Sequence, residues 1–136
     1  MAYWILKTEP SSYAFADLER EGRTVWDGVA NAQALIHIRA MHSGDEALIY
    51  HSGDERAAVG LARIVSEPYA DPQLDDPKRV VVDVAAVRRL SQLINLSAIK
   101  ARPEFADFGL VRQSRLSVVP VSADQWQSLL HMAGES

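Results

Sequence analysis

The chain is organised around the sequence Thr24-Val25-Trp26-Asp27-Gly28-Val29-Ala30-Asn31. It places an aromatic ring, a carboxylate, a glycine and a side-chain amide directly before an apolar helix predicted over residues 32–42. Gly28 can adopt backbone angles closed to other residues, so the chain can turn sharply there. Asn31 is well placed to be the N-cap of the helix. A flat aromatic face beside hydrogen-bonding groups is typical of a pocket for a planar heterocycle.

Length and composition limit the classes of protein that the chain can represent. With 136 residues, it is long enough for a single domain over 1–136 with one hydrophobic core. It has no cysteine, which excludes thiol catalysis, cysteine-ligated zinc and disulfides. Its first apolar run is too short for a signal peptide, and no stretch approaches membrane-spanning length. We therefore expect a cytoplasmic protein without membrane association.

The charge balance restricts how the chain could hold nucleic acid. Its formal net charge is −4, whereas proteins that grip long nucleic acids usually carry a basic surplus. A small footprint or a local basic patch is therefore expected if the chain binds nucleic acid alone. Six later residues could form that patch or could be ordinary solvated charges: Arg88, Arg89, Lys100, Arg102, Arg112 and Arg115.

Apolar runs and turn residues divide the chain into short strands and short helices. Strands are predicted over residues 3–6, 46–52, 57–65, 79–87 and 116–119, and helices over 11–22 and 32–42, after Asn95 and after Ser122. Within one of these strands, Gly60 predicts a β-bulge or a close approach of another group to the backbone.

The order of these elements indicates the fold class. One hairpin, over residues 46–65, is convincing, and no glycine-rich turn for phosphates follows a strand. A doubly wound parallel sheet therefore fits poorly. The sequence predicts an α+β fold, a small and mostly antiparallel β-barrel with helices on its flanks.

Trp26 differs from the other two tryptophans because polar residues and a glycine surround it. Trp4 lies in an apolar strand and Trp126 on an apolar helix face, so both are predicted to be core residues. Asp27 could accept a hydrogen bond from a base or could cap the turn. Asn31 could present a donor and an acceptor to a base edge, although helix capping alone would justify it. Stacking contributes about 1–3 kcal/mol per base, so the Trp26 ring would need hydrogen bonds from such neighbours to hold a flipped-out base.

Catalytic and metal-binding arrangements are poorly supported. Ser52, His51 and Asp27 supply the residue types of a nucleophile, a base and an orienting group, but adjacent residues of one strand point to opposite faces. The four histidines have no ligand-like spacing. We therefore predict no catalytic residue, no metal and no cofactor.

Several short motifs, in order, resemble those of a known family. They are Lys7-Thr8-Glu9-Pro10, Trp26-Asp27-Gly28-Val29 with Asn31, Arg39-Ala40-Met41, Tyr50-His51-Ser52, and residues 112–118, which read Arg-Gln-Ser-Arg-Leu-Ser-Val. They resemble the EVE domain family of the PUA-like superfamily, and the resemblance covers nearly the whole chain. It implies a small curved barrel flanked by helices, with a pocket for a modified base flipped out of DNA or RNA.

The resemblance also implies which residues form the site. Carried over position by position, the base-binding pocket would consist of Thr8, Glu9, Trp26, Asp27, Gly28, Asn31, Tyr50 and Ser52. Residues that would contact phosphate or support the pocket are Lys7, Arg112, Ser114 and Arg115.

The chain departs from the family pattern beside the central motif. Many members carry an arginine, an aromatic residue and further polar residues where this chain has Ala30, Ala32, Leu35 and Ile36. We therefore expect a more open pocket and weaker binding of nucleic acid, which a protein partner could assist.

Three functions remain open at the level of the sequence. The first is non-catalytic recognition of a modified base in DNA or RNA. The second is a small enzyme or sensor that binds a free nucleoside or a similar heterocycle, which the net charge of −4 favours because such a ligand brings no phosphate. The third is a protein-interaction domain, which would bury Trp26 with no open cavity beside it.

Overall fold

The computed structural model describes residues 1–135, which form seven strands, five α-helices and one 3₁₀ turn. The strands are β1 Tyr3–Thr8, β2 Arg23–Trp26, β3 Glu46–His51, β4 Ala57–Ile64, β5 Tyr69–Ala70, β6 Val80–Asn95 and β7 Val118–Val121. The helices are α1 Phe15–Glu21, α2 Ala32–Arg39, α3 Leu96–Lys100, α4 Gly109–Arg112 and α5 Ala123–Met132, with the 3₁₀ turn at Pro103–Phe105.

The strands form one sheet in the order β2-β6-β4-β3-β1-β7, with β5 beside β6. The β1–β3 pair is parallel and the other pairs are antiparallel, which confirms the predicted α+β, mostly antiparallel architecture. The sheet is not closed, because within residues 1–135 its two end strands, β2 and β7, do not pair with each other.

Gly60 lies where the sheet bends. The register between β4 and β6 shifts between Ala58 and Gly60, and the register between β3 and β4 shifts at Ile49. Such irregularities increase the local bend and twist of a strand. A Cβ atom at Gly60 would lie 2.4 Å from the Phe15 ring. Both predictions for this glycine, a bulge and a close approach, are confirmed.

Side-chain caps fix the start of three helices. Asn31 accepts a hydrogen bond from the Ala34 amide at 3.1 Å, and Asn95 accepts one from the Ala98 amide at 2.9 Å. Ser122 forms a capping box with Gln125 at the start of α5. These caps confirm the predicted beginnings of α2, α3 and α5.

The helices α1 and α2 are shorter than predicted. The chain does not begin α1 at residue 11, because the Glu9 carbonyl accepts the amides of Ser12 and Tyr13 in a turn. The helix α2 ends at Arg39 rather than at residue 42, since Asp45 accepts the His42 amide at 2.9 Å and draws the chain out of the helix.

Two strand boundaries also differ from the prediction. The strand β6 continues to Asn95, eight residues beyond the predicted end, because β4 provides a hydrogen-bonding partner for its polar second half. The strand β7 contains Pro120, at which the sequence predicted an end. β7 is an edge strand, where a missing N–H is tolerated.

The core lies between the concave sheet and the helices. As predicted, Trp4 and Trp126 are both buried. The Trp4 indole donates to the buried carboxylate of Asp45 at 3.0 Å, and this carboxylate also accepts the Ala2 amide. The Trp126 ring stacks on Tyr3 with a centroid distance of 4.7 Å. Among residues 1–135, every helix is too short or too polar to cross a membrane.

Candidate functional site

A cavity of about 450 Å³ opens beside Trp26. Its volume falls within the range of about 300–1,000 Å³ that is usual for small-molecule sites. Its walls come from the end of β1, the loop before α1, β2 with the loop that follows it, and the residue before β7: Lys7, Thr8, Ser12, Tyr13, Thr24, Val25, Trp26, Asp27, Gly28, Val29, Ala30 and Ser117. We call this space the base cavity, after the heterocycle that its stretch 24–31 predicts.

The base cavity occupies the seam of the open sheet. Trp26 belongs to β2, at one end of the strand order, whereas Thr8 and Ser117 belong to β1 and to the approach to β7, at the other end. Because residues from both ends line one space, the sheet must curve until its edges face each other. The helix α2 packs against both β6 and β7 beside this seam. The cavity therefore lies in the gap between the two unpaired ends of the sheet.

Two aromatic rings form one wall. The Tyr13 ring meets Trp26 edge to face, with centroids 6.1 Å apart and planes at 83°. Trp26 is only 7% exposed, so it forms part of the wall and does not project as a free platform. The Tyr13 hydroxyl donates to Glu21. Burial and this hydrogen bond raise the pKa of Tyr13 to about 12, so the wall remains uncharged near neutrality.

The loop after Trp26 presents polar groups. Asp27 is exposed, and within residues 1–135 its carboxylate makes no hydrogen bond or ion pair. Gly28 adopts φ of +78°, the left-handed conformation that the predicted turn requires. Arg79 fixes the loop, since its Nε donates to the Val29 carbonyl at 3.0 Å. The backbone of this loop is thus held by Arg79, and the Asp27 carboxylate is free to accept hydrogen bonds from a ligand.

Lys7 and Thr8, at the end of β1, also line the base cavity. The Thr8 hydroxyl donates to the Tyr13 carbonyl at 2.6 Å, which fixes the loop that carries the aromatic wall. The Lys7 ammonium donates to the Ser114 carbonyl at 3.1 Å and lies 6.0 Å from the centroid of the Tyr50 ring. Partial burial lowers the pKa of Lys7. Lys7 and Asp27 thus both line the base cavity, with the Lys7 ammonium engaged by the Ser114 carbonyl and the Asp27 carboxylate unengaged.

A second cavity, of about 320 Å³, lies next to the base cavity. We call it the arginine cleft, and its lining residues are Asn31, Gln33, Arg112, Gln113, Ser114, Arg115 and Leu116. Within the described chain, neither Arg112 nor Arg115 makes an ion pair.

The structure divides the predicted pocket residues among different places. Thr8, Trp26, Asp27 and Gly28 line the base cavity, as does Lys7. Asn31 lies in the arginine cleft together with Arg112, Ser114 and Arg115.

Three further predicted pocket residues do not line the base cavity. Glu9 is exposed, and its carboxylate accepts the amide and hydroxyl of Ser11, which lowers the pKa of Glu9. Tyr50 is buried in the core, and burial raises its pKa. Ser52 donates its amide to the Thr8 carbonyl at 2.9 Å.

His51 is buried at the end of β3 and does not line the base cavity. Its Nε2 accepts the Phe15 amide at 3.0 Å, and its Nδ1 lies 3.1 Å from the Glu55 carboxylate. Both ring nitrogens therefore have structural partners. Among residues 1–135, no group of three or more histidine, cysteine or acidic residues could hold a metal ion.

Sequence reasoning missed part of the cavity lining. Tyr13, Ser12 and Ser117 reach the base cavity only through the folding of distant segments. Ser117 lies in the quoted motif 112–118, and its carbonyl accepts the Lys7 amide at 2.9 Å. Of the four positions that depart from the family pattern, Ala30 lines the base cavity, Leu35 is buried, and Ala32 and Ile36 are exposed.

Comparison with known proteins identifies relatives along the whole chain. The family model described as EVE domain matches residues 2–132. Thymocyte nuclear protein 1 of Rattus norvegicus is 31% identical over 164 aligned positions, which cover 96% of this chain and 73% of that protein.

Two solved structures are also similar to this chain. The solution structure of a Rhodopseudomonas palustris protein has a TM-score of 0.93 and 40% identity, covering 98% of this chain and 94% of that one. The crystal structure of human thymocyte nuclear protein 1 in complex with DNA containing 5-methylcytosine has a TM-score of 0.91 and 29% identity, covering 100% and 99%.

Proposed function

This chain belongs to the EVE domain family, and we propose that its base cavity binds a modified base in DNA without catalysing a reaction. The observation that carries this proposal is the open cavity of about 450 Å³ beside Trp26, bounded by the unengaged Asp27 carboxylate. A relative of 29% identity over the full chain is bound to 5-methylcytosine-containing DNA, which supports a modified cytosine as the first ligand to test.

The chemistry of the cavity walls suits one planar base. The Tyr13–Trp26 pair offers aromatic surface, and stacking contributes about 1–3 kcal/mol per base. The Asp27 carboxylate can accept from an exocyclic amine or a ring N–H, and the Lys7 ammonium can donate to a carbonyl or ring nitrogen. Cytosine and its derivatives present an amine beside such acceptors on one edge.

Polar groups should select the base more strongly than shape selects the modification. One methyl group in an apolar pocket contributes about 1–3 kcal/mol, or roughly 10- to 200-fold in affinity. A mismatched hydrogen bond in a site built to make it costs more, because a polar group is left unpaired. We therefore propose that Asp27 and Lys7 recognise the identity of the base, and that the aromatic wall provides the modest preference for the methyl group.

A binding role fits the site better than catalysis. Ser52 and His51, which supply a nucleophile and a base, do not line the base cavity. His51 is already engaged at both ring nitrogens by Phe15 and Glu55. The described lining of the cavity holds groups that can orient a base, and no serine–histidine pair is among them, which supports a binding role.

The proposal is tested with short DNA and RNA strands that each carry one base: cytosine, 5-methylcytosine or N6-methyladenine. We expect the tightest binding to the 5-methylcytosine DNA strand, measured by fluorescence anisotropy. Asp27→Asn keeps the shape of the side chain but replaces one acceptor oxygen by an amide donor. This change removes about one charged hydrogen bond to the base, so we expect it to weaken binding about tenfold.

Asp75→Asn is the matched control, because Asp75 is exposed and lies outside both cavities. Equal affinity for all strands, or an equal loss in both variants, would refute the proposed role of the base cavity. Preference for the RNA strand would support base binding by this cavity but would identify RNA, and not DNA, as the ligand.

A free nucleoside is the second candidate ligand, favoured by the net charge of −4. A nucleoside needs no phosphate contacts, and its affinity should respond little to salt. If 5-methyl-2′-deoxycytidine binds as tightly as the strand that contains it at every salt concentration, the nucleoside is the ligand.

A further inference from the structure

We propose that a third cavity binds the base of the nucleotide next to the modified one, with adenine preferred. This inference rests on the proposed function and adds a preference for sequence context to it. The cavity has a volume of about 290 Å³. We call it the glutamine cleft, after Gln33, Gln113 and Gln125 in its lining.

The glutamine cleft is connected to the base cavity through the arginine cleft. Ala30 lines the base cavity and the next residue, Asn31, lines the arginine cleft. Consecutive Cα atoms are about 3.8 Å apart, so these two spaces are one residue apart at this point. The arginine cleft in turn shares Gln33, Gln113 and Leu116 with the glutamine cleft. A strand whose modified base lies in the base cavity can therefore continue into the glutamine cleft.

The amide groups of the glutamine cleft come from three parts of the fold. Gln33 lies in α2, Gln113 directly follows α4, and Gln125 lies in α5. Within residues 1–135, the Gln113 side chain makes no hydrogen bond, and Gln125 uses only its oxygen, which accepts the Ser122 amide at 3.1 Å. The cleft therefore has amide groups available both to donate and to accept hydrogen bonds.

His37 lines the same cleft as a neutral ring. Gln33 and His37 are four residues apart and share a face of α2, where the Gln33 Nε2 lies 3.2 Å from the His37 Nε2. An amide nitrogen can only donate, so the His37 nitrogen accepts this bond. Burial lowers the pKa of His37, which favours the neutral form that this bond requires. The bond orients the Gln33 amide and leaves its oxygen as an acceptor for a ligand.

The lining of the glutamine cleft suits a base better than a phosphate. Asp107 is exposed, and within the described chain its carboxylate makes no hydrogen bond or ion pair. A carboxylate repels an anion and can accept an exocyclic amine. Phe108 and Leu116 are buried beneath the cleft and Pro120 is exposed in it. These three side chains give the cleft apolar surface for the face of a ring.

Glutamine favours adenine among the four bases. Its amide can donate to N7 of adenine and accept from the N6 amine in a bidentate pair. Guanine presents two acceptors on the corresponding edge, and thymine presents one acceptor and a methyl group. Neither of these edges offers an amine to the Asp107 carboxylate. Adenine therefore matches both the amides and the carboxylate of the cleft.

The experiment varies the neighbours of 5-methylcytosine in a short single DNA strand. Each of the four bases, and an abasic site, is placed first on the 5′ side and then on the 3′ side. We expect adenine on one of these sides to bind at least about fivefold more tightly than the other choices there, the lower end of the discrimination by one bidentate pair. Fluorescence anisotropy at one salt concentration measures the ratios. A phosphate contact is the same in every strand, so the ratios report on the neighbouring base alone.

The double variant Gln33→Leu/Gln113→Leu removes two of the amide groups. We expect it to lose the adenine preference and to keep its affinity for 5-methyl-2′-deoxycytidine, because neither residue lines the base cavity. The control is Gln73→Leu/Gln127→Leu, at exposed positions outside the three cavities, which should keep the preference.

The possible failures are distinguishable. Equal affinity for every neighbour in the wild-type protein would overturn the proposal and leave base binding intact. A preference that survives in the glutamine-cleft variant, or that the control variant also loses, would overturn it as well. A preference for a base other than adenine would refute the assignment of adenine. If the wild-type protein binds neither the nucleoside nor any strand, the proposed function itself is wrong.

Discussion

The Lys7 ammonium donates a hydrogen bond to the Ser114 carbonyl at 3.1 Å, between residues 107 positions apart in the chain. Lys7 lines the base cavity and Ser114 lines the arginine cleft. One side chain therefore joins the walls of both spaces. The backbone supports the same junction, because the Lys7 amide donates to the Ser117 carbonyl at 2.9 Å.

The first prediction concerns Lys7→Met, which keeps the apolar stem and removes the charge and the donor. Because Lys7 lines the base cavity and its ammonium has two N–H groups left beyond the bond to Ser114, we expect weaker binding of both the nucleoside and the DNA strand. Isothermal titration with both ligands measures the loss, and Lys100→Met is the exposed control. Unchanged nucleoside affinity in Lys7→Met would remove Lys7 from the base-reading groups.

The second prediction is a gain of affinity in Ala30→Arg. Ala30 is exposed and lies on the wall between the base cavity and the arginine cleft. An added guanidinium there should meet the strand's backbone, raise affinity at low salt and steepen the salt slope by about 0.7. Ala106→Arg adds the same charge at a distant exposed position. Equal gains in the two variants would show a general charge effect and no local contact.

The features that could be predicted from the sequence are local. Asn31, Asn95 and Ser122 cap helices whose first turns follow directly in the chain, so short-range signals suffice. The bulge at Gly60 is also predictable, because a glycine inside an apolar strand usually marks a bulge or a close approach to the backbone.

The composition of the base cavity could not be predicted in the same way. It depends on the seam between strands at opposite ends of the sheet, which brings Tyr13 and Ser117 to Trp26. The spacing of these residues in the sequence does not indicate that they lie together in the fold. Asn31 shows the converse, since it is next to the base-cavity residues in sequence but its side chain lies on the other side of the shared wall.

The third prediction concerns the packing of Gly60. A Cβ at this position would lie 2.4 Å from the Phe15 ring, which is fully buried. Gly60→Ala should therefore lower the free energy of unfolding by about 1–3 kcal/mol, as overpacking usually does. Urea denaturation measures the change. The double variant Gly60→Ala/Phe15→Leu should lose less than the sum of its two single variants, and strict additivity would show that the ring is not the obstacle.

The fourth prediction is a pH-dependent stability contribution from Glu135. Hydrogen bonds from Ser91 and Arg88 lower the pKa of Glu135 from about 4.5 to about 2. Because the pKa in the folded state is depressed, the contribution is present above about pH 4.5 and is lost as the pH falls towards 2. Glu135→Gln should therefore lower Tm at pH 7, with a difference from wild type that shrinks below pH 4.5. Glu104→Gln, at an exposed ion pair 3.6 Å long, should change Tm little at either pH.

The fifth prediction is that the protein binds a modified base better when the base is already unpaired. Extraction of a base from a duplex costs a few kcal/mol, and proteins that unstack duplexes often insert a bulky side chain into the gap. The exposed residues lining the base cavity have small or short side chains: Ser12, Val25, Asp27, Gly28 and Ala30.

The described rim presents no bulky side chain to insert into a duplex, and the net charge of −4 gives the chain no basic surplus to hold the opened strands. We therefore expect 5-methylcytosine in a single strand or opposite a mismatched base to bind at least tenfold more tightly than in a matched duplex, a difference of about 1.4 kcal/mol. Anisotropy titrations at one salt concentration compare the three contexts, with unmodified cytosine as the control in each. Equal affinity for the matched duplex would mean that the protein opens base pairs itself, and Val25, at 41% exposure the most apolar residue of the rim, would then be the first position to substitute.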